Sequence, residues 1–155
     1  MIRLLNCKYT MFMVLVGWVC VFGWADSPIQ WRGSPGWEPS SAYCRLYDAK
    51  HVTTVKGTIQ RVEKIVPLKG MGDGVYLMLK TASDTIAVHL GPEEYVEKQP
   101  IVLQAGDVVE VTGSRVSCDG KPAFLAAIVK RGPEIAKFRE LNGRPAWTAP
   151  PTPKN

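Results

Sequence analysis

The sequence is poor in the residues from which catalytic and metal sites are usually built. It contains two histidines and four cysteines, and it has no G-x-S-x-G element and no C-x-x-C or H-x-x-x-H spacing. Nucleophilic catalysis needs an activated Ser or Cys beside a His, and zinc sites use closely spaced Cys and His ligands. The sequence therefore predicts neither an enzyme nor a metal or cofactor site.

Weaker candidates for chemistry are also set aside. Glu93 and Glu94 are adjacent, so their side chains point in different directions and do not share a site. The glycine-rich stretch at residues 70–74 lacks the Lys-Ser/Thr of a phosphate-binding loop. A metal carrier that uses His51 and His89 with Met71 or Met78 is the least favoured hypothesis.

Basic residues outnumber acidic residues only slightly. The formal net charge is +5, but Arg3 and Lys8 precede the expected mature chain, which keeps 17 basic and 14 acidic residues. A domain that binds nucleic acid without sequence preference carries a denser basic face. Nucleic acid is thus a weakly supported partner.

The N-terminus has the three zones of a secretory signal. Basic residues precede an apolar stretch at residues 11–24, and small residues Gly23 and Ala25 flank Trp24. We expect cleavage after Ala25 and a periplasmic or secreted mature protein. The alternative is an inner-membrane anchor formed by residues 9–25, which would be the only membrane contact.

Export would leave two cysteines in a compartment where disulfides persist. Cys7 and Cys20 leave with the signal, so Cys44 and Cys118 can form one bridge. The rival, a metal site built from these two and both histidines, lacks ligand spacing.

Both ends of the mature chain have no regular hydrophobic period. Residues 26–51 form a Trp/Pro/Gly-rich lead-in, and residues 148–155 form a proline-rich, disordered tail. Neither end is expected to carry core. Trp31, Trp37 and Trp147 lie outside the predicted strands, where they would close the ends of a barrel or anchor a partner.

The interior alternates β-branched segments with turn signals. Strands are predicted at residues 52–66, 75–81, 85–90, 108–117 and 123–130, with a short helix at 93–99 and an additional strand at 135–141. Gly57 predicts a bulge or bend in the long first strand. The order of three strands, a short helix and two more strands predicts an all-β, five-stranded OB-type barrel over residues 52–147. SH3-like barrels and small sandwiches are the alternatives, since they also use short strands.

Several segments resemble a known group. They are the stretches at residues 57–59, 88–92 and 106–115 and the ending Phe-Arg-Glu-Leu-Asn-Gly-Arg-Pro-Ala-Trp at 138–147. Together they resemble bacterial exported OB-fold proteins, a group that includes OB-like proteins associated with magnetosome membranes. The resemblance implies the fold and an envelope location, and it implies no catalytic residue.

An OB barrel commonly binds along its second and third strands and the neighbouring loops. Here that surface would comprise Lys69, Met71, Tyr76, Met78, Lys80, Thr85, His89 and Lys121. Strand alternation places His89 on the outer face, as a surface or rim residue. With one aromatic residue this surface suits single-stranded nucleic acid poorly. We therefore predict a protein-binding adaptor or assembly factor of the bacterial envelope, with an oligonucleotide, oligosaccharide or small anion as the alternative ligand.

Overall fold

The computed structural model describes residues 33–148. Six strands and one helical turn follow each other along the chain, and two three-residue 3-10 helices lie outside them. Their bounds are β1 Val52–Ile65, β2 Gly74–Lys80, β3 Thr85–Pro92, α1 Glu93–Val96, β4 Val108–Cys118, β5 Lys121–Arg131 and β6 Glu134–Lys137, with 3-10 turns at Cys44–Leu46 and Ala146–Thr148. Within residues 33–148, none of the helices has the length and apolar character needed to cross a membrane.

All six strands belong to one sheet in the order β3-β2-β1-β4-β5-β6. Neighbours in that order pair antiparallel, and β3 also pairs with β5 in parallel at Val88–Phe124 and His89–Leu125. This additional pairing closes β1 to β5 into a ring, with β6 outside it along β5. The prediction of an all-β chain with a short helix between the third and fourth strands is confirmed, and the helix is a single turn.

The long first strand changes neighbour along its length. Its first half pairs with β4 and its second half with β2, and Thr58 pairs with both Lys80 and Val108. The register shifts between Ile59 and Arg61, so the bulge predicted at Gly57 lies three residues later. Gly57 has a different role, because a Cβ there would collide with the carbonyl oxygen of Lys80.

Alternate residues of the ring strands fill its interior. The predicted inward faces are confirmed: Leu77, Leu79, Val88 and Leu90 have no exposed surface. We call this cluster the inner core; its buried members are Ile59, Val75, Leu77, Leu79, Ile86, Val88, Leu90, Ile101, Val109, Val111, Phe124, Ala126, Val129, Ala136 and Phe138.

A second core covers the outer face of β5, which corrects the prediction that the lead-in carries none. Trp37 and Tyr43 of the lead-in are fully buried. We call this cluster the outer core; its buried members are Trp37, Tyr43, Cys44, Tyr47, Cys118, Ala123, Leu125 and Ala127. Ala123 and Ala127 of β5 point away from the inner core. Because both side chains are small, they leave room for the large aromatic side chains of the lead-in. The lead-in has no hydrophobic period because single aromatic residues and one short 3-10 turn, not a strand or a longer helix, cover this face.

Candidate functional site

The outer face of β2 and β3 carries most of the predicted binding residues. Pairing places Tyr76 opposite His89 and Lys80 opposite Thr85, so these side chains point to one side of the sheet. Lys80 and Thr85 are exposed, whereas Met78 is half-buried. The predicted residues of β2 and β3 therefore lie along one continuous strip of the sheet, formed by Tyr76, Met78, Lys80, Thr85 and His89.

His89 is not at the surface, which corrects its predicted exposure. Only 4% of the residue is exposed, because Tyr43 from the lead-in covers it. The Tyr43 hydroxyl and His89 Nδ1 share a hydrogen bond of 3.0 Å, and the two rings stack with centroids 6.0 Å apart. Strand alternation gave the direction of the side chain correctly, but it could not show that another segment lies over it.

Burial, with the Arg139 charge as a second cause, lowers the pKa of His89 from 6.5 to about 4. Because the folded state holds His89 neutral while the unfolded chain takes up a proton below about pH 6.5, stability is lost as the pH falls from about 6.5 through 4. We expect the free energy of unfolding to drop by about 2 kcal/mol between about pH 7.5 and pH 5, as urea unfolding at each pH can measure.

The matched variants are His89→Gln and His51→Gln. His89→Gln removes the titrating group and should flatten this part of the pH profile. His51 is exposed and its ion pair with Asp48 lies at the surface, where such pairs contribute little stability, so His51→Gln should keep the drop in stability between about pH 7.5 and pH 5. A profile that stays equally steep in His89→Gln would contradict the assignment.

The remaining predicted site residues do not converge on this strip. Met71 belongs to the outer core, where its side chain packs against Gly36. Lys69 is exposed in the loop before β2, and Lys121 is exposed at the start of β5. Tyr76 donates a hydrogen bond to Glu63, which raises the pKa of its hydroxyl. The negative charge of Glu63, which lies on β1 beside this strip, opposes the binding of an anionic polymer.

Cys44 and Cys118 lie in the same cluster, as their predicted places in the fold require. Both are free thiols in the structure, which does not contain the predicted disulfide. Cys44 Sγ donates to the carbonyl oxygen of Trp37 at 3.8 Å, and Cys118 Sγ to that of Pro67 at 3.6 Å. The two sulfurs thus contact carbonyls of different segments. Burial raises the pKa of both thiols.

A cleft opens where β3 and β5 diverge. The two strands pair at only two positions each, and their preceding residues, 85–87 and 121–123, separate. The cleft has a volume of about 160 Å³ and is lined by Asp84, Thr85, Ile86, Ala87, Arg115, Val116, Pro122, Ala123 and Phe124. We call it the β3–β5 cleft. An ion pair of 3.6 Å between Arg115 and Asp84 lies beside it.

Arg139 is a potential functional residue that sequence reasoning did not single out. It is completely buried, although arginine is almost never fully buried without a partner. Its guanidinium lies over the Trp147 ring at 4.8 Å and over the Tyr43 ring at 5.9 Å. The only signal in the sequence is its position between Phe138 and a turn, which is not specific.

No group of three or more His, Cys, Asp or Glu side chains within residues 33–148 is arranged to hold a metal ion. Three features remain as candidate sites: the β3–β5 cleft, the strip on β2 and β3, and the polar groups of the outer core.

The model of the MamS/MamX magnetosome protein family matches residues 51–136, which is more than half of the chain. The matched region contains β1 to β5 and most of β6, whereas the lead-in, Arg139 and Trp147 lie outside it. Neither the curated proteins nor the solved structures contain a significant match.

Proposed function

The chain belongs to the MamS/MamX magnetosome protein family, and from that membership we propose that it is a non-enzymatic, magnetosome-associated adaptor. It binds an extended segment of a partner protein. The family match supports the association with magnetosomes, and the β3–β5 cleft supports the mode of binding.

The ring of strands is, in this proposal, an OB-type barrel. Its order β1-β2-β3-β5-β4, closed by a parallel β3–β5 pairing and with a helical turn between β3 and β4, supports that assignment. The basic, apolar and small-residue zones of residues 1–25 support export with cleavage after Ala25. Those residues lie outside the described part of the chain.

The single observation that carries the adaptor function is the unpaired strand edge in the cleft. Residues 85–87 pair with β2 on one side and with no described strand on the other. Such an edge accepts an added strand through backbone hydrogen bonds. Pro122 faces the same cleft from β5, and because proline has no N–H it makes β5 the poorer template. The added strand therefore pairs with β3.

The cleft also defines the chemistry of the segment. Ile86 and Phe124 line it, so alternate side chains of the segment that point inward are apolar. The Arg115–Asp84 pair is more than 40% exposed on both sides, and exposed pairs contribute little stability. Arg115 can exchange Asp84 for a carboxylate of the partner. The partner segment is thus extended, apolar at alternate positions and acidic at one end.

The alternative, a soluble ligand bound on the strip of β2 and β3, has less support. Tyr43 covers His89, and Glu63 accepts the hydrogen bond of Tyr76. What remains open, around Lys80 and Thr85, lacks the stacking aromatic residues that nucleic acid binding uses.

Site-specific photocrosslinking in a magnetosome-forming host tests the adaptor function. A benzoylphenylalanine at Thr85, beside the β3 edge, should crosslink one partner, and the same probe at Thr54 should not, because Thr54 lies on the opposite part of the ring. Mass spectrometry of the crosslinked peptide should show alternate apolar residues. Ala87→Lys, which places a charge in the cleft, should reduce the yield by about tenfold or more.

Ala105→Lys is the matched control, since Ala105 is exposed in the turn before β4. It should leave the crosslinking yield unchanged. A yield that is insensitive to Ala87→Lys, or crosslinks from Thr54 as strong as those from Thr85, would refute binding at the cleft.

A further inference from the structure

The guanidinium of Arg139 has donors with no acceptor. Nη1 donates to the carbonyl oxygens of Leu90 and Ala126, both at 3.2 Å. Nε and Nη2 are buried and have no hydrogen-bond partner within residues 33–148. A guanidinium carries five N–H groups, so three of them are unsatisfied in the protein interior.

The two unsatisfied nitrogens are those of one edge. In an arginine side chain the Nε–H and one Nη2–H bond run parallel and form the fork that binds a carboxylate or another anion through two hydrogen bonds. Backbone carbonyl oxygens accept the hydrogen bonds of Nη1, and the Nε–Nη2 fork has no such acceptor in the described residues. The Trp147 ring lies against the guanidinium face. The Tyr43 hydroxyl and the Cys44 thiol are close enough to interact electrostatically with Arg139, but neither reaches hydrogen-bond distance of Nε or Nη2.

The positive charge has no negative partner within residues 33–148, where none of the ion pairs involves Arg139. Removing a charge from water costs several kcal/mol unless it is paired and hydrogen-bonded. Two carbonyls and two ring faces offset part of that cost. The full charge remains uncompensated, and a buried group of this kind needs an explanation.

The Tyr47 hydroxyl is a further buried polar group without a hydrogen-bond partner in the described part of the chain. The Tyr47 ring packs against Gly143, and Gly143 belongs to the turn that follows Arg139 and returns to it through the Arg139–Pro145 bridge. The charge of Arg139 opposes the burial that raises the pKa of Tyr47.

We propose that the Nε–Nη2 edge of Arg139, together with the Tyr47 hydroxyl, binds one small inorganic anion within the outer core. The anion accepts two parallel N–H bonds and one O–H bond and neutralises the buried charge. All three donors lie out of contact with solvent, so the anion enters when the Tyr47 ring moves away from Gly143. The site is separate from the β3–β5 cleft and does not depend on the adaptor function.

Thermal unfolding of the purified protein in defined anions tests this site. The reference buffer contains only a bulky morpholine sulfonate, which is too large to enter. Chloride, nitrate and phosphate are then titrated to about 20 mM at constant ionic strength, and the three series distinguish a halide from an oxyanion. A ligand that binds only the folded state raises the unfolding temperature in a saturable way, and we expect a rise of about 5 °C for the anion that fits.

Three variants show whether the response belongs to this site. Arg139→Met should abolish the rise. Tyr47→Phe keeps the ring, folds on that account, and should weaken the apparent affinity about tenfold. Arg144→Met removes an exposed arginine of the same turn and should respond like the wild type. Where chloride gives the rise, crystals grown with bromide should show an anomalous peak beside Arg139; where an oxyanion gives it, crystals grown with that oxyanion should show its density there.

Two results would overturn the proposal. One is a wild-type unfolding temperature that is the same in all anions or that rises without saturation. The other is a saturable rise that persists unchanged in Tyr47→Phe. If Arg139→Met does not fold, Tyr47→Phe and the crystals still decide the question.

Discussion

Trp37→Ala should lower the free energy of unfolding by about 4 kcal/mol, which is the loss expected for a fully buried large aromatic residue. Trp37 has no exposed surface. Its ring packs edge-on against Tyr43 at 5.0 Å and Trp147 at 5.7 Å, and its Nε1 donates to the carbonyl oxygen of Gly72. The substitution removes one ring from the centre of the outer core and leaves that carbonyl without its donor.

Urea unfolding followed by circular dichroism measures this effect, and Val102→Ala is the control. Val102 is 75% exposed, so its truncation should change stability by less than about 0.5 kcal/mol. A loss below about 1 kcal/mol for Trp37→Ala would mean that the lead-in does not form a core in solution.

Gly113→Ala should destabilise the sheet by about 3 kcal/mol, because the added methyl group meets backbone and not a movable side chain. A Cβ at Gly113 would collide with the carbonyl oxygen of Leu125 and would also reach the Phe124 ring. The register of β4 and β5 shifts between Thr112 and Gly113, and a bulge at this point brings the two backbones close together. The strands must therefore separate to accept even an alanine.

The matched control lies on the same strand. Ser117 is exposed, and Ser117→Ala should unfold at nearly the wild-type urea concentration. Equal midpoints for Gly113→Ala and the wild type would show that the close approach of β4 and β5 is not present in solution.

Strand positions were predictable from the sequence because alternation and turn signals are local. Val75, Leu77 and Leu79 occupy alternate positions of one strand, and the structure buries all three. The bulge after Ile59 was misplaced because Gly57 is a visible signal, whereas a register shift depends on the two neighbouring strands. The β6 strand is shorter than its apolar pattern indicates, since Arg139 turns away to form a bridge with Pro145.

The candidate sites were less predictable, because they depend on contacts between segments far apart in sequence. His89 faces outward by alternation, and only the position of Tyr43 shows that it is buried. Arginine usually lies at the surface, so Arg139 stands out only when the hydrogen-bond partners of its buried guanidinium are examined in the structure. The β3–β5 cleft exists because two strands stop pairing, which no pattern within either strand encodes.

The outer core also constrains when the protein can finish folding. Trp147 donates a hydrogen bond to the carbonyl oxygen of Trp37, a contact that joins residues 110 positions apart. A chain is synthesised from its N-terminus, so Trp37 leaves the ribosome long before Trp147 exists. Closing so long a loop is entropically unfavourable, and distant contacts slow folding. The cover of Trp37 therefore cannot be completed until Trp147 has been made and has returned to it, so the Trp37 side chain is the part of the outer core that stays open longest to solvent and to any chaperone that binds aromatic segments.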